Sequence, residues 1–123
     1  MPVYIEKKDK LKLKVSNTDK QIKIKVECYN GTIVTVKFFD NIFKNVYCGE
    51  TRVIGTAAEL KGKTLIFTGI AKNPNGEIVK IKHTIFEVGG NKVTYTFPDG
   101  YTGEPDFNSA DPLPDYHFFL KLE

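Results

Sequence analysis

Apolar and polar positions alternate with a period of two along much of the chain. Leu11, Leu13 and Val15 interleave with Lys10, Lys12 and Lys14, and Ile22, Ile24, Val26 and Cys28 interleave with Gln21, Lys23, Lys25 and Glu27. Such alternation sends one set of side chains to each face of a pleated strand. The two stretches read as neighbouring strands with a lysine-covered outer face over an apolar inner one. Residues 2–7 read as a separate short edge strand, with Pro2 at its outer end where a missing N–H does least harm.

The centre of the pattern is residues 63–97, which predict a three-stranded antiparallel meander. Its strands are residues 63–71, Ile78 to Val88 and Val93 to Phe97. Asn73-Pro74-Asn75-Gly76 and Gly89-Gly90-Asn91 supply the turns, since Pro presets φ and Gly accepts positive φ. Residues 64–71 are apolar on both faces, which predicts a central strand. Tyr29-Asn30-Gly31-Thr32 predicts a tight hairpin into Ile33–Phe39, because Asn-Gly is the preferred two-residue hairpin loop. Asp40 to Glu50 supports three readings: a helical turn, an extra short strand or a packed loop. Thr51 to Ala58 reads as a strand, Leu60-Lys61-Gly62 as a turn and Tyr116 to Leu122 as the closing strand.

These elements predict a single all-β domain over residues 1–123, an antiparallel β-sandwich of about 8–9 strands. An up-and-down β-barrel, lipocalin-like in outline, is the alternative, although the lipocalin Gly-x-Trp signature is missing. Nine Phe, six Tyr and no Trp in 123 residues, with 41% hydrophobic residues, supply a core for either architecture. A barrel would leave a void among its inward aromatics, where a sandwich would fill its interior with them. No apolar run is long enough for a membrane span. Met1 to Lys8 has no apolar stretch after a basic start, which predicts no secretory signal and a cytoplasmic location. Cys28 and Cys48 are too few and too far apart for a zinc site or a redox pair. They read as reduced thiols, with a disulfide as the alternative.

Charge changes the picture in two places. The net charge of +3 hides a basic front and an acidic end, where Lys121 stands against Asp99, Glu104, Asp106, Asp111, Asp115 and Glu123. The lysine face lacks the Arg and exposed aromatics of nucleic-acid surfaces, so it reads as solvated, with no nucleic-acid partner. Residues 98–115 form a long acidic loop punctuated by Pro98, Pro105, Pro112 and Pro114, and loops of this length tend to be functional.

If every connection reverses direction, the long connections collect at one end: Asn17 to Asp19, Asp40 to Glu50, Asn73 to Gly76 and the acidic loop. That parity places a binding site there, built from Asp40, Asn41, Asp99, Tyr101, Glu104, Asp106, Phe107 and Asp111. An extra strand within Asp40 to Glu50 would switch it. Asp on loops at one end is loosely similar to Ca²⁺-dependent C2-like sandwiches. The spacing matches no Ca²⁺ loop motif, so no metal ligands and no cofactor are assigned. Ser16, Ser109, His83 and His117 form no nucleophile elbow, and no Gly-rich loop opens a helix, so no enzyme is expected. His83, on the face of Val79, Ile81 and Ile85, reads as a hydrogen-bonded core residue. The expected function is therefore a non-catalytic binding or assembly module that contacts a protein partner through its long-loop end. An apolar-ligand barrel is the alternative, and a C2-like Ca²⁺ module the less favoured one.

Overall fold

The computed structural model describes residues 5–29, 33–39, 43–72, 80–97 and 115–123. Two sheets pack face to face with no closed barrel, which makes the fold an all-β sandwich. The strands are β1 (Ile5–Leu13), β2 (Gln21–Tyr29), β3 (Ile33–Phe39), β4 (Phe43–Tyr47), β5 (Thr51–Thr56), β6 (Thr64–Lys72), β7 (Lys80–Glu87), β8 (Lys92–Phe97) and β9 (Asp115–Leu122). One sheet has the order β1-β9-β6-β3-β4, and the other β5-β2-β7-β8. No helix among the described residues is long and apolar enough to cross a membrane.

The alternation is realised as expected. Ile22, Ile24 and Val26 of β2 are fully buried, as are Ile81, His83 and Ile85 of β7, while Lys25 and Lys12 are exposed. Between the sheets, Phe67 and Phe118 stack with ring centroids 4.5 Å apart and planes 3° from parallel. Phe97, Leu65 and Leu120 fill the same layer. The aromatics thus occupy the space that a barrel would have left open. β6 is the central strand of its sheet, as its two apolar faces require.

Pairing departs from the alternation-based reading in several ways. The meander over 63–97 breaks after its first strand: β7 and β8 form the expected hairpin, but β6 lies in the opposite sheet. The Asn30-Gly31 hairpin fails likewise, because β2 pairs with β5 and β7 whereas β3 pairs with β4 and β6. Turn chemistry reverses the chain but does not decide between a paired strand and a crossing to the facing sheet. Here the crossings win, because they turn the apolar faces of consecutive strands toward each other. Residues 30–32 and 73–79 themselves lie outside the described residues.

The two lysine-bearing strands are not neighbours either, since β1 and β2 sit in different sheets. Residues 2–4, Pro2 among them, lie outside the described residues; from Ile5 one strand, β1, runs to Leu13 with a register shift between Lys8 and Leu11, so 5–7 and 10–13 belong to a single strand. β1 pairs parallel to β9, an exception to the antiparallel rule that joins the two ends of the chain. Within Asp40 to Glu50 the extra-strand reading holds, as β4. Thr51 to Ala58 is strand only to Thr56, whose hydroxyl accepts the Glu59 N–H at 3.3 Å and caps a helical turn, α1 (Ala57–Leu60). Gly55 permits that turn to fold back, since a Cβ there would lie 2.9 Å from Leu60 Cδ1.

The cysteines are not free thiols: Cys28 and Cys48 form a disulfide. Period-two spacing placed Cys28 correctly on the inner side of β2. The partner came into reach only through β4, whose end delivers Cys48 to the corner where the chain passes between sheets.

Candidate functional site

Each candidate binding residue read from the sequence (Asp40, Asn41, Asp99, Tyr101, Glu104, Asp106, Phe107 and Asp111) lies outside the described residues. Their flanks are described, and they separate the set. In the five-stranded sheet, Phe39 pairs with Phe43 on one side and with Ile66, near the start of β6, on the other. Asp115 pairs with Ile70, near the end of β6. The strand ends flanking Asp40 and Asn41 are therefore at the opposite end of the sheet from Asp115, where the acidic stretch rejoins the sandwich. β4 is the extra strand that switches the parity, so the single long-loop end is corrected to two ends.

The end that receives Asp115 also carries the connection from β4 to β5, which is described in full. Gly49 adopts φ +82°, a left-handed conformation that lets Cys48-Gly49-Glu50 reverse the chain. Its N–H donates to the Val26 carbonyl at 2.8 Å, and the Val26 N–H donates to the Glu50 carbonyl at 3.1 Å. The disulfide ties the same turn to β2. The Glu50 carboxylate uses both oxygens: Oε1 accepts the Tyr47 N–H at 3.0 Å, and Oε2 takes Arg52 Nε at 2.9 Å and Nη2 at 2.8 Å. Tyr47 is 47% exposed, and Arg52, the chain's single Arg, is held by Glu50 on the far side of the same turn with half its side chain in solvent. Sequence reading treated both as background, because only the disulfide and the Glu50 bridge bring them to one corner.

No family model matches this chain, and neither a curated protein nor a solved structure is similar to it.

Among the described residues, His83 and Glu87 are buried and serve the fold. His83 is fully buried, with Nδ1 2.9 Å from the Tyr95 carbonyl oxygen and its ring against Tyr95 and Phe118. Burial lowers its pKa from 6.5 to about 4, partly countered by that hydrogen bond, so the ring is neutral near pH 7. It is the hydrogen-bonded core residue that the alternation predicted. Glu87 closes the opposite end: its Oε1 accepts the Ser16 N–H at 2.7 Å and the Ser16 hydroxyl at 2.9 Å. Those bonds, the backbone one foremost, hold its carboxyl below the usual range, with Lys20 and Lys61 adding to the effect. Among the described residues no group of three or more His, Cys, Asp or Glu is placed to hold a metal ion.

Proposed function

We propose that this protein is a non-catalytic binding module that holds a protein partner at the disulfide-stapled end of its sandwich. The observation that carries the reading is that Tyr47 and Arg52, each about half in solvent, flank one covalently tied turn whose Glu50 carboxylate bonds the Tyr47 backbone and the Arg52 guanidinium. Tyr and Arg are the residue types that most often anchor protein interfaces. A turn fixed before binding loses little conformational entropy when a partner arrives. We assign Asp99, Tyr101, Glu104, Asp106, Phe107 and Asp111 to the same surface from their described flanks alone, since Phe97 and Asp115 both stand at that end. The disulfide favours a compartment more oxidising than the cytosol, such as the cell exterior or a periplasm.

Deleting residues 100–113, and separately making Tyr47→Ala with Arg52→Ala, tests this reading. Each variant should keep the cooperative unfolding of the parent and lose partner binding. Undiminished binding in both variants would sink the proposal.

A further inference from the structure

The outer face of the four-stranded sheet carries an unusual cross-strand order. The ladder pairs Val53 of β5 with Lys23 of β2, Lys23 with Phe86 of β7, and Phe86 with Lys92 of β8. One row thus runs apolar, cationic, apolar, cationic across all four strands. The next row holds Thr51, Lys25, Thr84 and Thr94, and the one beyond it Glu27, Lys82 and Thr96. Their strand neighbours Ile22, Ile24, Ile81, Ile85, Tyr95 and Phe97 point into the core, so these rows point outward. Lys25 and Lys92 are exposed, and Lys23, Lys82 and Phe86 are half-buried.

In these rows four lysines stand with one carboxylate, Glu27. Neither of the described salt bridges, Lys12–Glu123 and Arg52–Glu50, involves any of the four. Solubility alone would be served by lysines spread among threonines. It gives no reason to set Phe86 between two of them, where lysine methylene stems can lie against the ring and leave their ammonium groups in water.

We propose that this face binds an acidic polypeptide segment bearing an apolar side chain, separately from the Tyr47 corner. The carboxylates meet Lys23, Lys25, Lys82 and Lys92, and the apolar side chain lies on Phe86. Charge complementarity selects an anionic partner. The cations of these rows are lysines rather than Arg, which favours planar bidentate contact with phosphate, and Phe86 is half-buried rather than a fully exposed stacking platform; both favour a peptide over a nucleic acid.

Fluorescence anisotropy with the full chain tests this. The probes are a labelled peptide of six glutamates around one leucine and a single-stranded oligothymidylate of equal charge. The peptide should bind in low salt and weaken as salt rises. It should lose roughly tenfold or more in affinity with Lys23→Glu/Lys82→Glu, and likewise with Lys25→Glu/Lys92→Glu should the first pair fold poorly. Replacing the leucine by glutamine should weaken it several-fold, while Tyr47→Ala leaves it unchanged, separating this face from the corner. No peptide binding in low salt, binding indifferent to both charge reversals, or tighter binding of the oligothymidylate would each overturn the proposal.

Discussion

The two ends of the sandwich are held by different means. At the end where β1 leads into β2 and β5 leads into β6, backbone and side-chain bonds interlock. Val15 N–H donates to the Glu123 carbonyl at 2.8 Å, Gly62 to Leu122 at 2.7 Å, and Ala57 and Ala58 to Lys20 and Thr18, each at 2.8 Å. Glu87 grips Ser16, and Lys61 Nζ reaches the Val15 carbonyl at 3.0 Å. At the other end the described turn, Cys48-Gly49-Glu50, relies on one disulfide, two backbone bonds to Val26 and the Glu50 carboxylate. Many weak ties make the first end a cooperative part of the fold. At the second end a covalent tie fixes the described turn in shape while Tyr47 and Arg52 stay about half in solvent, a combination that suits a binding surface.

That contrast can be broken most forcefully at the disulfide. Reduction, or Cys28→Ser with Cys48→Ser, should lower stability by about 3 kcal/mol, the value expected for a loop of this length. Hydrogen exchange should show the Gly49 and Val26 amides losing protection well before those of Ala57 and Gly62. Equal loss at both ends would mean that the ends are not independently held.

Acid tests the core that both ends share. Because the His83 pKa is lowered in the fold, the unfolded chain binds a proton between pH 6.5 and about 4 that the folded one refuses. Stability is therefore full above pH 6.5 and falls as pH drops toward 4, by up to about 3 kcal/mol. The depressed Glu87 carboxyl acts in the same direction at lower pH, its contribution fading as pH falls through the carboxylate range. Urea melts at pH 7, 5.5 and 4.5 should show the decline, and His83→Gln should flatten it above pH 5. A wild-type profile flat from pH 7 to 4.5 would contradict a neutral, sealed His83.

Smaller effects sharpen the comparison. Thr56→Ala, which removes the cap of α1 at the interlocked end, should cost about 1 kcal/mol in thermal melts. Tyr47→Ala should change stability by less than about 0.5 kcal/mol, because about half of the residue is in solvent. A larger loss at Tyr47 would make it a structural residue and weaken its assignment as an anchor.

The faces of the strands were readable from the chain, whereas their partners were not. Period two sorted Ile22, Ile24, Val26, Ile81, His83 and Ile85 inward without error, because burial acts on each residue locally. Asn30-Gly31 and Asn73-Pro74-Asn75-Gly76 lie outside the described residues, and the strands that flank each stand in different sheets, because whether a connection stays in its sheet depends on which apolar face needs covering. That is decided by the whole core. The β1–β9 pair joins Ile5 to Asp115, and no local signal announces a contact so distant. Ala57 and Ala58 were misread as strand because their neighbours are β-branched, while the Thr56–Glu59 cap that starts the helical turn was overlooked. The corner of Tyr47, Cys48, Glu50 and Arg52 was hidden for a related reason. Its residues are adjacent in sequence, but only β4, left as one of three readings, explains why they meet Cys28.

The most direct test sets two equally exposed apolar residues against each other. Tyr47 at the stapled end is 47% exposed, and Val88 at the interlocked end 43%. A photo-crosslinking amino acid placed at each position in turn, in the cells that make the protein, reports what touches each end. A discrete protein adduct from position 47, absent from position 88 and lost when the disulfide is removed, is the predicted result. Adducts from position 88 alone, or from neither position, would contradict the assignment of the stapled end as the binding end.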